Sequence, residues 1–163
     1  MKTYDLMHSI NTRGTFLMSK TCIPHLKKAA NAHIMNLSPP LNMEARWFKG
    51  HVAYTMAKYG MSMCVLGISE ELKDDAIAVN GLWPRTTIAT AAVNNLLGGD
   101  TMMMRSRTPA IMADAAHIIL TSDSKKTTGN FFIDDDVVVL KDLREYNVDP
   151  ELPAEKLFPD FFV

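Results

Sequence analysis

Long apolar runs are missing from this chain, and none of its 163 residues sit in a stretch long and apolar enough to suggest a membrane-spanning helix. Charge of one sign is missing as well. Seventeen Lys and Arg against eighteen Asp and Glu leave a formal net charge of −1, which gives no electrostatic footprint for nucleic acid or an anionic membrane. Cysteine is scarce. Cys22 and Cys64 are the only two, and their spacing matches neither a metal site nor a disulfide framework, so a reducing, intracellular compartment is expected. Met1-Lys2-Thr3-Tyr4-Asp5 does not read as a secretory signal, and Phe161-Phe162-Val163 is not a Ser-Lys-Leu type of address. The cytoplasm is the expected location, with an organelle left open. A glycine-rich phosphate turn is also absent: no Gly-x-Gly-x-x-Gly or Gly-x-x-x-Gly-x-Gly follows a leading strand.

What is present is an ordinary globular composition, 47% apolar and 21% charged, in a length that suits one domain. Residues 3–28 predict a long helix, with Leu6, Met7, Ile10, Phe16, Leu17, Ile23 and Leu26 at roughly helical spacing. His33 to Leu37 predicts a buried parallel strand closed by Pro39-Pro40, because proline cannot continue a ladder. A loop over 41–51 leads to a helix running to about Lys73, with Met56, Tyr59, Met63, Leu66 and Leu72 among its apolar positions. Ile77 to Trp83 predicts a second strand, and strand–helix–strand implies a parallel pair with a right-handed crossover. The small and apolar residues between Thr86 and Met104 suit a lid over an apolar substrate, or a surface helix with a mobile loop. Pro109 starts another helix with Ile111, Ala115, Ile118 and Ile119 on its inner face, and 128–133 predicts a third strand. Asp134-Asp135-Asp136 reads as a solvated strand end. Neither that triplet nor His33 and His51 has metal-ligand spacing, so no metal is expected. Residues 141–163 form a tail expected to pack through Phe158, Phe161 and Phe162. The domain division is therefore 1–140 followed by a 141–163 tail.

The chemistry concentrates in Ala53-Tyr54-Thr55-Met56-Ala57-Lys58-Tyr59-Gly60. Tyr54 and Lys58 share a helix face one turn apart. A free phenol, with a pKa of about 10, is a poor acid–base group at neutral pH. A fixed ammonium favours the phenolate, and a lowering by about three units corresponds to roughly 4 kcal/mol. The pair could then take a proton from an alcohol or give one to a carbonyl. Alone, Tyr-x-x-x-Lys also fits a half-buried tyrosine beside a solvated lysine.

Its surroundings carry more. Asn11-Thr12-Arg13-Gly14, His33-Ile34-Met35-Asn36-Leu37-Ser38-Pro39-Pro40-Leu41-Asn42, Ala53-Tyr54 with Ala57-Lys58-Tyr59-Gly60-Met61-Ser62-Met63, Leu82-Trp83-Pro84 and Thr128-Gly129-Asn130-Phe131 occur in an order that resembles the second half of a short-chain dehydrogenase/reductase. The likeness covers nearly the whole chain and is nearest to the hydroxysteroid dehydrogenase-like subgroup and related bacterial dehydrogenases. It implies an α/β fold, part of a doubly wound, Rossmann-like parallel sheet. It also implies an oxidoreductase that uses NAD or NADP on an apolar alcohol or carbonyl, in a homo-oligomer built on the helices matching 3–28 and 54–73. By resemblance Tyr54 is the proton donor or acceptor, and Lys58 lowers its pKa and holds the nicotinamide ribose. Asn11 holds a water where the helix is locally distorted, and Ser38 steadies the substrate oxygen. Pro84, Thr87 and Ile88 reach the nicotinamide end.

The departures matter. A match to the family's Asn-x-x-Ser ending puts Pro39, not Ser38, in the serine's place. A bend at Pro39-Pro40 would turn Ser38 toward Tyr54; otherwise the oxygen contact is weakened. Arg85 stands where a glycine is usual, and acids replace the common Asp-Gly-Gly after the third strand. With no phosphate turn, and no residue to choose NAD over NADP, the sequence looks like a truncated enzyme. The alternative is a non-catalytic oligomerisation module derived from one.

Overall fold

The computed structural model describes all residues from Met1 to Val163. The chain divides into two compact units: residues 1–83 with 120–132 and 162, and residues 84–119 with 133–161 and 163.

The first unit opens with one nearly continuous helix in three parts: α1 (Lys2–His8), a π-helical turn over Ser9–Arg13, and α2 (Gly14–Leu26). The predicted 3–28 helix is present but ends at Leu26. Leu6, Ile10, Phe16, Leu17 and Met18 are all at least half exposed. Strand β1 (Ala32–Asn36) pairs parallel with β2 (Ile77–Trp83) in the register Ala32 to Ile77 through Asn36 to Gly81. The crossover between them is α3 (Val52–Glu71). The order β1-β2-β3 puts the fully buried β2 in the middle and leaves β1 at an edge. Ala32, Val65, Ile68, Leu72, Ile77 and Val79 form the core of this layer, where the β-branched residues of β2 meet one stripe of α3.

The buried stripe of α3 is not its most apolar one, and the third strand is shorter than expected. Met56, Met63 and Leu66 are 46–57% exposed, and α3 instead buries Thr55, Ala57, Tyr59, Ser62, Val65, Ile68 and Ser69. The inner face of α3 therefore contains small hydroxyl residues as well as aliphatic ones, which hydropathy alone does not detect. The third strand is only Phe131–Ile133, labelled β3, not 128–133. Gly129 takes φ +75, which breaks the strand, yet Gly129 N still donates to Val79 O at 2.9 Å and Gly81 N to Asn130 O at 2.8 Å, and side chains add to this pairing. Thr128 Oγ1 accepts from Val79 N at 3.0 Å, and Asn80 Oδ1 accepts from Asn130 N at 3.0 Å.

The second unit has a π-helical turn over Val93–Leu97, then α4 (Gly99–Met104), most of α5 (Ala110–Thr121) and α6 (Asp134–Val137). On α5, Ile111, Ala115 and Ile119 are buried as expected, but Ile118 is 46% exposed. The acidic triplet is not a solvated strand end. Asp134 is fully buried, where its Oδ1 accepts from Arg85 N at 2.9 Å and from Asp135 N at 2.8 Å. Asp135 lies between Arg85 at 2.7 Å and the buried Arg107 at 3.1 Å. Phe158 and Phe161 remain exposed. Of the three tail phenylalanines only Phe162 is buried, and it belongs to the first unit. No helix is long and apolar enough to cross a membrane.

Candidate active site

The N-terminal half of α3 is fixed by the loop before it. Thr55 Oγ1 donates to Trp47 O at 2.5 Å, Tyr59 Oη donates to Asn42 O at 2.5 Å, and Ser62 Oγ donates to Pro39 O at 2.7 Å. Burial pushes the Tyr59 phenol up, and its hydrogen bond to Asn42 offsets part of that. Each tie uses a polar side chain to satisfy a carbonyl that regular structure leaves unpaired. They orient the helix so that Tyr54 and Lys58, both half-buried, lie beside its buried stripe.

Lys58 Nζ donates to Leu37 O at 3.4 Å and stands 5.3 Å from the centre of the Trp83 ring. The ends of β1 and β2 thus meet the lysine, the first through a carbonyl dipole and the second through a π face. Tyr54 lies nearly parallel to Phe162, with ring centres 6.3 Å apart and 15° between planes. Asn11 sits inside the π turn, and its Nδ2 donates to Met7 O at 2.9 Å. The helix is thus locally distorted where the resemblance implied. The next residue, Thr12, donates through Oγ1 to Ala57 O at 3.0 Å, tying the distorted turn to α3 between Tyr54 and Lys58.

Ser38 is fully buried, and its Oγ has no hydrogen-bond partner. It packs under Gly81, where an added Cβ would stand 3.1 Å from Ser38 O and 3.3 Å from Ser38 Oγ. The Pro39-Pro40 bend therefore turns this serine toward β2. Pro84, Thr87 and Ile88 lie in the second unit. There Thr87 N donates to Phe158 O at 2.9 Å, Thr87 Oγ1 is 2.7 Å from Ser106 Oγ, and Ile88 bridges to Arg107.

Sequence reasoning missed how the aromatic residues assemble. Trp47, Tyr54, Tyr59 and Trp83 all surround Phe162. No spacing rule links residue 162 to residues 47–83, although a tail rich in phenylalanine was a signal that something there is buried. The Asp134–Asp135 network with Arg85 and Arg107 was also missed, since three consecutive acids normally indicate solvent.

A dinucleotide fits these residues only in part. Lys58, with its ammonium beside a strand-end carbonyl, suits a ribose hydroxyl. The amide and hydroxyl of Thr87 already have partners, and no glycine-rich turn occurs among the 163 residues.

A family pattern described as Enoyl-(Acyl carrier protein) reductase matches residues 1–135. Hydroxysteroid dehydrogenase-like protein 2 of Xenopus tropicalis is 56% identical over the whole of this chain, which spans 38% of that protein's length. The Homo sapiens protein of the same name is 51% identical over 99% of this chain, again 38% of its own length. The chain thus spans well under half of the curated relatives it matches. Among solved structures, a short chain dehydrogenase from Mycobacterium thermoresistibile superposes with a TM-score of 0.89 at 49% identity, covering all of this chain and 57% of that one. An angucycline C-6 ketoreductase, LanV, solved with bound NADP, shares the fold at a TM-score of 0.65 and 20% identity, over 82% of this chain and 52% of its own. With a family pattern over residues 1–135 and a parallel sheet shared with such enzymes, the chain belongs to the short-chain dehydrogenase/reductase family.

Proposed function

We propose that this chain carries the acid–base part of an NAD(P)-dependent oxidoreductase acting on an apolar alcohol or carbonyl. The observation that supports this reading is the half-buried Tyr54–Lys58 pair on α3, with Lys58 held between the Leu37 carbonyl and the Trp83 ring. In this reading the Tyr54 hydroxyl gives a proton to a carbonyl oxygen, or takes one from an alcohol. The Lys58 ammonium stabilises the phenolate charge that then develops, and it binds the ribose hydroxyls. Asn11 steadies a water that connects Lys58 to solvent. A bound nicotinamide supplies or accepts the hydride. Pro84, Thr87 and Ile88 contribute to its nicotinamide end. Ser38 assists the substrate oxygen only if the strand end opens, since its hydroxyl is buried. In this reading residues 1–140 are the dehydrogenase-type part and 141–163 its C-terminal tail. The cytoplasm is the proposed location.

The test is Tyr54→Phe and Lys58→Met in a protein carrying this segment with its cofactor-binding portion. Tyr54→Phe should lower turnover by about a hundredfold or more. Unchanged turnover in both variants would overturn the reading. The chain alone should bind NAD or NADP weakly, and micromolar affinity by calorimetric titration would contradict that.

A second reading, a non-catalytic association module, is favoured by one observation. Phe16, Leu17 and Met18 on α2 and Met63 and Leu66 on α3 are each at least half exposed. Homo-oligomerisation through these helices is compatible with either reading.

A further inference from the structure

Phe162 is only 3% exposed, whereas Phe158 and Phe161 before it are exposed. Its ring centre is 5.1 Å from Tyr59, 5.8 Å from Trp47, 5.9 Å from Trp83 and 6.3 Å from Tyr54, all in the first unit. Four rings from the loop before α3, from α3 and from the end of β2 therefore form a box, and a phenyl group fills it. The backbone of Phe162 has φ +74, a left-handed conformation that a residue with a Cβ adopts only at a cost. The gain from burying the ring is thus partly spent on holding it there. One polar group in the box is unsatisfied: the indole Nε1 of Trp47 is buried without a hydrogen-bond partner. A phenylalanine ring cannot supply the acceptor that this N–H lacks.

We propose that Phe162 is an internal stand-in for the ring of a substrate. A neutral, flat-ringed ketone or alcohol displaces it, stacks on the Tyr54 ring and gives its oxygen to the box. This deepens the reading of Tyr54 as the acid–base group and rests on it. Ring stacking selects flat ligands over flexible chains, and the unpaired indole N–H selects ligands that carry an oxygen over plain hydrocarbons.

The test is calorimetric titration of the full chain, without cofactor, using acetophenone and the linear methyl hexyl ketone. Phe162→Ala should bind acetophenone about tenfold more tightly than the native chain, because the competing ring is gone. Phe162→Leu, which keeps much of the buried volume, should show a smaller gain in the same direction and decides the matter if the alanine variant does not fold. The linear ketone should gain less than about threefold. Adding Trp47→Phe to Phe162→Ala should weaken acetophenone about fivefold by removing the N–H donor. Equal acetophenone affinity in the native chain and the folded variants would overturn the proposal, as would equal gains for the two ketones. Because no turnover is measured, the box can fail while the Tyr54 chemistry stands, and the reverse.

Discussion

Two glycines on α3 should respond in opposite directions to the same substitution. Gly60 faces the distorted turn of the first helix, where an added Cβ would come within 3.0 Å of Thr12 Cβ and closer still to both of its γ atoms. Thr12 is β-branched, so no rotamer clears all three atoms, and the helices must separate. Such overpacking costs typically 1–3 kcal/mol, roughly, and separation also weakens the Thr12 to Ala57 hydrogen bond, worth about 1 kcal/mol. Alanine's better helix propensity returns about 1 kcal/mol, leaving Gly60→Ala less stable by about 1–3 kcal/mol. Gly67 lies on the same helix with nothing within 4 Å of its added Cβ. Gly67→Ala should therefore gain about 0.5–1 kcal/mol from propensity alone. Urea denaturation followed by far-UV circular dichroism measures both. Equal stabilisation by the two changes would mean that the first helix does not approach α3 as described.

Asp135→Ala should destabilise the second unit by about 3 kcal/mol, because it leaves the buried Arg107 without its carboxylate; thermal unfolding measures this. Burial raises the Asp134 carboxyl above its ordinary range, so the folded form holds its proton to higher pH than the unfolded chain does. Its contribution is then full below the ordinary carboxylate range and is lost as pH rises through the raised value. Asp134→Asn should remove that loss from a stability-versus-pH profile. Sedimentation velocity should show concentration-dependent association, which Met63→Glu with Leu66→Glu reduces; a monomer at all concentrations would argue against the exposed helix faces being interfaces.

The sheet and its crossover helix were legible because β2 is a run of β-branched and small residues ended by a proline, and α3 begins beside the Tyr-Lys motif. What escaped the sequence was packing that hydropathy does not encode. α3 buries Thr55, Ser62 and Ser69 through carbonyl partners while exposing three of its apolar positions, Met56, Met63 and Leu66. The 128–130 segment looked like strand, yet Gly129 turns left-handed there, and the segment joins β2 through a mixture of backbone and Asn80 side-chain hydrogen bonds. The fate of Ser38 depended on which way two prolines bend the chain, and local sequence does not set that. Phe162 and the Asp134–Arg85 contacts join positions far apart in the chain, where only folding creates the neighbourhood.

The π-helical turn at Ser9–Arg13 also acts as a phase shifter. One extra residue in a turn rotates everything on its far side by about 100° relative to an uninterrupted α-helix. The apolar stripes of α1 and α2 are thus out of step by one residue, and the pattern drawn straight through 3–28 averages two different faces. The Asn11 amide on the Met7 carbonyl sits at the seam. Deleting a single residue between Ser9 and Arg13 would therefore restore a regular helix while leaving α1 facing its present neighbours. Winding the same residues into a regular helix without a deletion would instead turn α1 by about 100°.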